Sequence, residues 1–200
     1  MTVSQATKFL EDAFDVLNQK YFESALPKAI ITIQSSPTAY GHYTKWDAWS
    51  DKKHTYREIN LGAETLNRPI ANTIATLIHE MVHFYCDMNG IQDTSRGGTY
   101  HNSRFKFEAE ARGLCIEYDK KIGHSITSPS KELKSFVAAQ GWRNKLTISR
   151  QAEFGADGKQ KTKKPSSTRK YVCPCCGQSV RATKEVHIAC CDCDEIMQLA

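Results

Sequence analysis

The run His79-Glu80-Met81-Val82-His83 constrains this chain more than any other stretch. On a helix, residues four apart lie one above the other on the same face, so two imidazoles converge on one point. That suits a tetrahedral zinc ion with Zn–N bonds of about 2.0–2.1 Å. Glu80 projects from the edge of that face, where it meets a water on the metal rather than the metal itself. Such a water is acidified towards a pKa of about 7, and a neighbouring carboxylate can take its proton as it attacks a carbonyl.

A pattern this short needs a helix around it. Ile74, Leu77, Ile78, Met81, Val82 and Tyr85 recur at three- and four-residue steps between Asn72 and Tyr85, which makes an apolar stripe. Pro69 stands where such a helix can begin, and Asn89-Gly90 where it would end. The two histidines follow the margin of the stripe, which places them at a cleft floor. A plain core helix with two incidental histidines is the alternative, but it would bury Glu80 at a cost and without a purpose. The stretch therefore reads as the H-E-x-x-H pattern of a zinc metalloprotease.

A zinc hydrolase needs a third protein ligand and an open fourth position. Gly97-Gly98 can turn the chain back over the metal, and His101 follows. Phe105, Ala109 and Leu114 stand at helical intervals, so a second helix carrying His101 near its start is expected. Glu108 and Glu110 are the rival third ligands, and His101 is preferred. His42, His54, His124 and His187 stand alone in polar surroundings and are read as solvated or structural. Tyr100 is a candidate donor to the oxyanion.

At the other end, Cys173-Pro174-Cys175-Cys176 and Cys190-Cys191-Asp192-Cys193 form two C-x-x-C pairs separated by thirteen residues. Four thiolates from two knuckles close a tetrahedral structural site with no room for substrate. Cys173, Cys176, Cys190 and Cys193 are the expected ligands, with Cys175 and Cys191 spare. A chain end this short could hardly fold without the metal. A disulfide framework is disfavoured, because six of the eight cysteines crowd here and no export signal precedes them. Cys86 and Cys115 read as core thiols on helical faces.

The residues from Arg150 to Lys170 hold seven basic and two acidic side chains, equal to the net charge of +5 of the whole chain. The stretch from Lys159 to Lys170 also lacks apolar residues, so it should be a flexible linker. Either it is a solvated tether, or Lys161, Lys163, Lys164 and Lys170 strap non-specifically onto nucleic-acid phosphates. No apolar run approaches the roughly eighteen residues of a membrane span. The expected location is therefore cytoplasmic, and nucleoid-associated if DNA is bound.

Short strands are expected at 29–34, 39–49 and 56–61. The order helix, three strands, metal helix, second helix predicts an α+β domain with helices on one small sheet. Substrate peptides can pair with a sheet edge beside a metal helix, and the strand ending at Leu61 is the candidate edge. Trp46 and Trp49 either line the cleft or pack on the sheet. The expected domains are a protease domain at 1–148, the basic linker at 149–170 and a zinc ribbon at 171–200.

The opening helix with Leu17-Asn18-Gln19-Lys20-Tyr21-Phe22 and Leu26-Pro27, the His79–His83 helix, the turn Gly98-Thr99-Tyr100-His101-Asn102 with Phe105 after it, and the cysteine-rich end together resemble SprT-like proteins. These are zinc metallopeptidases related to Spartan. The segment from Cys173 to Lys184 resembles the ribbon of bacterial and phage-borne members. Tyr100 and Asn102 depart from the family's turn, which commonly has glycine on both sides of the third histidine.

The resemblance implies a minimal zincin-like metalloprotease domain plus a small C-terminal four-cysteine zinc ribbon, with two Zn2+ ions, one catalytic and one structural. It implies His79, His83 and His101 as ligands and Glu80 as catalytic acid/base. It further implies protein or peptide substrates, and cleavage of proteins bound or crosslinked to DNA, single-stranded or damaged. The rival reading is a DNA-associated zinc protein with a regulatory role and little or no proteolytic activity. The intact Glu80 argues against that rival, since a structural site has no need of it.

Overall fold

The computed structural model describes residues 1–151 and 168–200, so Lys161, Lys163 and Lys164 lie outside the described residues. The chain divides into two compact units, the first being Met1–Gln151.

Helix α1 (Val3–Phe22) opens on a capping box in which Thr2 and Gln5 satisfy each other's backbone N–H groups. Its buried stripe of Ala6, Leu10, Ala13, Phe14, Leu17 and Phe22 faces the core. Five short strands follow: β1 (Ile30–Gln34), β2 (Gly41–Tyr43), β3 (Trp49–Ser50), β4 (Thr55–Tyr56) and β5 (Glu58–Gly62). The expected stretch 39–49 is thus split into two strands, and 56–61 into another two.

In the first sheet the order is β1-β5-β2. Strand β5 runs parallel to β1 and antiparallel to β2, and all five of its residues are buried. The strand ending at Leu61 is therefore the centre of the sheet and not its edge; β2 is an edge. Two-sided burial explains this. Ile59 and Leu61 enter the main core. Glu58, on the other face, accepts hydrogen bonds from Thr32 (2.6 Å), Gln34 (3.0 Å) and the Trp49 indole (2.6 Å).

After a 3-10 turn at Ala63–Thr65 comes helix α2 (Ile70–Met88), which begins at Pro69 and ends before Asn89-Gly90 as its sequence predicts. Strands β6 (Thr94–Ser95) and β7 (Tyr100–His101) form a hairpin, followed by helix α3 (Ser103–Glu110). Strands β8 (Leu114–Asp119) and β9 (Gly123–Pro129) complete a second sheet of order β6-β7-β9-β8, and α4 (Lys131–Ala139) closes the unit. Trp142 and Leu146 also enter the core, and Arg150 N–H bonds the Ala63 carbonyl, so the unit runs past residue 148.

The expected second helix is shorter than predicted at both ends. Asn102 has extended backbone angles and its side chain accepts from the N–H groups of Arg104 and Phe105, which makes it the N-cap and leaves His101 outside the helix. Beyond Glu110 the chain bends through Gly113, which has φ 80°, and Leu114 starts a strand. Cys115 accordingly lies exposed on β8, while Cys86 is buried on α2.

In the second unit β10 (Arg169–Val172), β11 (Ser179–Ala182) and β14 (Gln198–Leu199) make one sheet. Strands β12 (Ala189–Cys190) and β13 (Glu195–Ile196) make a small hairpin. Strand β10 takes in Arg169 and Lys170, the last residues of the expected linker. Among the described residues, the buried core of this unit is Tyr171, Cys173, Cys190 and Met197. Among the described residues no helix is long and apolar enough to cross a membrane.

Candidate metal centre

His79 and His83 project from α2 and His101 from β7. Their three Nε2 atoms lie 3.2, 3.2 and 3.0 Å apart. Tetrahedral coordination with bonds of about 2.0–2.1 Å places neighbouring nitrogens about 3.3 Å apart, so the donor set fits a zinc ion. Glu108 and Glu110 do not take part: Glu108 pairs with Arg112 at 2.6 Å and Glu110 faces Lys106 at 3.8 Å.

The fold also fixes which nitrogens are free. The Thr127 hydroxyl lies 3.2 Å from the Ser125 carbonyl and 2.8 Å from His79 Nδ1, and when it donates to the carbonyl it accepts from that nitrogen. His83 Nδ1 lies 2.5 Å from Asp93 Oδ2, a carboxylate oxygen that accepts. With the proton on Nδ1 in both rings, Nε2 is left as a donor to a metal. His101 Nδ1 is buried without a partner among the described residues.

Charge follows burial. His79 is held well below the usual imidazole range by burial and by its two histidine neighbours. Burial likewise brings His101 down to about 4, so both are neutral at pH 7. Burial pushes Asp93 up, but the His83 hydrogen bond and the charges of His83 and Lys45 outweigh it and hold the carboxyl below its ordinary range.

Glu80 is 5% exposed, and burial pushes it up to about 7 against the opposing pull of His83 and the Tyr43 N–H. Among the described residues no lysine or arginine forms an ion pair with it. Gly41 on β2 makes room for it: a Cβ there would come 3.1 Å from Glu80 Oε1 and 2.8 Å from the Asn60 carbonyl.

Phe105 is fully buried, with its ring centroid 4.6 to 4.7 Å from each of the three imidazoles. The third ligand is seated by Gly123, which pairs with His101 across β7 and β9. Gly123 has φ 70°, and a Cβ on it would fall 2.1 Å from the His101 carbonyl oxygen.

The donors open into a cleft of about 770 Å³ lined by the 38–43 segment with edge strand β2, by α2, and by 122–127 on and before β9. Tyr100 is not on it. Its hydroxyl meets that of Tyr118 at 3.4 Å on the exposed face, because neighbouring residues of a strand point to opposite sides. Trp46 and Trp49 do not line it either. Asp93, Thr127, Gly41 and Gly123 were not singled out from the sequence. Only Gly123 carries a local signal, a glycine after Lys120-Lys121-Ile122 at a tight turn.

In the second unit the ligand atoms of Cys173, Cys176, Cys190 and Cys193 lie within 4.8 Å of one another. Cys176 Sγ and Cys190 Sγ are 3.7 Å apart. Zn–S bonds of about 2.3 Å in a tetrahedron give about 3.8 Å, so this set fits zinc as well. Cys175 and Cys191 are exposed and outside it.

Three imidazoles, a buried carboxylate and an open cleft have the make-up of a mononuclear metal centre rather than a closed structural site. The chain belongs to the SprT-like family, whose model matches residues 10–121, more than half its length. That membership is consistent with a zinc-metallopeptidase-like function. Comparison with curated proteins and with solved structures returned no match.

Proposed function

We propose that this chain is a zinc-dependent endopeptidase of the zincin kind, with His79, His83 and His101 holding the ion and Glu80 as acid/base. The observation that carries this is Glu80 itself, a buried carboxylate with no cationic side chain paired to it, on the cleft beside three converging nitrogens. A bound zinc ion would supply Lewis acidity for water and for the scissile carbonyl. Glu80 accepts the proton of the attacking water and passes it to the leaving amine. The outer edge of β2, where the Tyr43 N–H meets Glu80, is the place for an extended substrate to run along.

The second unit we read as a four-cysteine zinc ribbon, and Cys175 and Cys191 as spare thiols. A DNA-associated role, with substrates bound or crosslinked to DNA, draws on the basic stretch before the ribbon and on Lys170. Lys170 is exposed and lies directly across from Arg181 in the β10–β11 pair, so two cations share one face. The acidic residues Asp192, Asp194 and Glu195 oppose phosphate binding. The location that follows is cytoplasmic, and nucleoid-associated if DNA is bound.

Zinc content and cleavage test this together. Two zinc ions per chain should fall to one in a His79→Ala/His83→Ala variant. Cleavage of casein, or of the chain itself, should vanish in Glu80→Gln, with and without single-stranded DNA. One zinc in both proteins and no cleavage would favour a DNA-associated regulatory protein. Neutralising Lys161, Lys163, Lys164 and Lys170 should weaken DNA binding and flatten its salt dependence; unchanged affinity would remove these residues from the function.

A further inference from the structure

We propose that Asp93 is a positioning residue that sets the donor strength of His83, and that Lys45 tempers it. The inference rests on reading the three histidines as a metal site. Asp93 lies ten residues beyond His83 on the chain leaving α2, and its side chain is 2% exposed. A carboxylate this buried is costly unless its oxygens are engaged. Both are: Oδ2 takes the His83 Nδ1 proton at 2.5 Å, and Oδ1 faces the Thr94 hydroxyl at 3.3 Å and Lys45 Nζ at 3.6 Å.

Asp93 also touches the other half of the donor set through its backbone. Its carbonyl accepts the Asn102 N–H at 3.0 Å, one residue past His101, and Thr94 pairs with His101 in the hairpin. One residue thus holds the His83 ring by its side chain and the His101 strand by its main chain. No other residue in the site does both among the described residues.

A carboxylate on the outer nitrogen of a ligating imidazole fixes the ring and raises its basicity. Lys45 comes from the loop after β2, lines the cleft with its side chain half exposed, and also reaches the Thr94 hydroxyl at 3.4 Å. Its charge draws electron density from the carboxylate. The two residues therefore act in opposite directions on His83, which a purely structural contact would not do.

The test is zinc affinity of the histidine site in the full chain, by competition with a chromophoric chelator. The ribbon's contribution is read separately in the His79→Ala/His83→Ala variant. Asp93→Asn keeps the shape and an acceptor oxygen, and should weaken zinc binding by about 10- to 100-fold. Lys45→Met should tighten it. Cobalt substituted at the site should show shifted visible bands in Asp93→Asn and wild-type intensity in Lys45→Met.

Asp93→Asn binding zinc as tightly as wild type would overturn the proposal, as would equal weakening by both variants. If Asp93→Asn fails to fold, Lys45→Met decides alone, tighter binding supporting the proposal and unchanged or weaker binding overturning it. A wild-type histidine site that takes up neither zinc nor cobalt overturns the metal-site reading, and the role of Asp93 with it. Wild-type uptake with an insensitive Asp93→Asn overturns the role of Asp93 alone.

Discussion

The ring of Phe105 stacks on that of His83, with centroids 4.7 Å apart and planes 28° from parallel. It stands 4.6 Å from His79 and from His101 as well, so a single apolar side chain forms the floor under all three donors. Phe105→Ala should cost about 3–5 kcal/mol of stability through the cavity it leaves. Phe105→Leu should keep the fold and loosen the imidazoles, lowering zinc affinity. Urea unfolding of the metal-free protein and a zinc titration separate the two effects; wild-type affinity in Phe105→Leu would mean that the floor does not hold the rings.

Gly123→Ala should break the seat of the third ligand. A left-handed conformation costs a residue with a Cβ about 1–2 kcal/mol, and the 2.1 Å approach to the His101 carbonyl adds a clash that only movement of β7 from β9 relieves. The expected outcome is a lower melting temperature together with loss of the histidine-site zinc while the cysteine-site zinc remains. An unchanged metal count would show that His101 is held by other contacts.

Gly41→Ala separates metal binding from catalysis. Its methyl group would meet first the Asn60 carbonyl, Glu80 Oε1 and the Thr76 methyl. Zinc content should stay at the wild-type level while the rate of peptide cleavage drops by about tenfold or more, the scale of a misplaced general base. Equal loss of zinc and activity would argue against a specific effect on Glu80.

Glu80 must be ionised to accept a proton, so activity should rise with pH through its pKa. Burial, against the pull of His83 and the Tyr43 N–H, holds that pKa at about 7, and a bound metal cation would lower it further. The acidic limb of kcat/KM against pH is therefore expected at or below pH 7. A limb centred well above 7, or one that persists in residual Glu80→Gln activity, would assign it to another group.

The six clustered cysteines should divide four to two. Serine at Cys173, Cys176, Cys190 or Cys193 should release one zinc and unfold the small unit, whose core contains two of those cysteines. Serine at Cys175 or Cys191 should release none. Metal analysis with circular dichroism reads both, and zinc loss in Cys175→Ser would reassign the ligand set.

The sequence made α2 legible because its apolar period, its proline start and its Asn-Gly end all agree, and the spacing of His79 and His83 follows from that helix. His101 was legible as a histidine after a Gly-Gly turn. Its surroundings were not, because the contacts that seat it join residues distant along the chain. Thr127 meets His79 across 48 positions and Gly123 pairs with His101 across 22. The burial of β5 on both faces and the outward direction of Tyr100 depend on strand partners that local patterns do not name. Leu114 kept helical spacing from Phe105, yet the chain had already left the helix before Gly113.

Two of the three ligands ride on a nineteen-residue helix, and the third on a two-residue strand joined to β9 by one residue pair. The turn before it passes through three consecutive left-handed residues, Arg96, Gly97 and Gly98. Such a hairpin opens at far lower free energy than the core around α2. A bound ion should therefore exchange through opening of this short flap, faster than the domain unfolds.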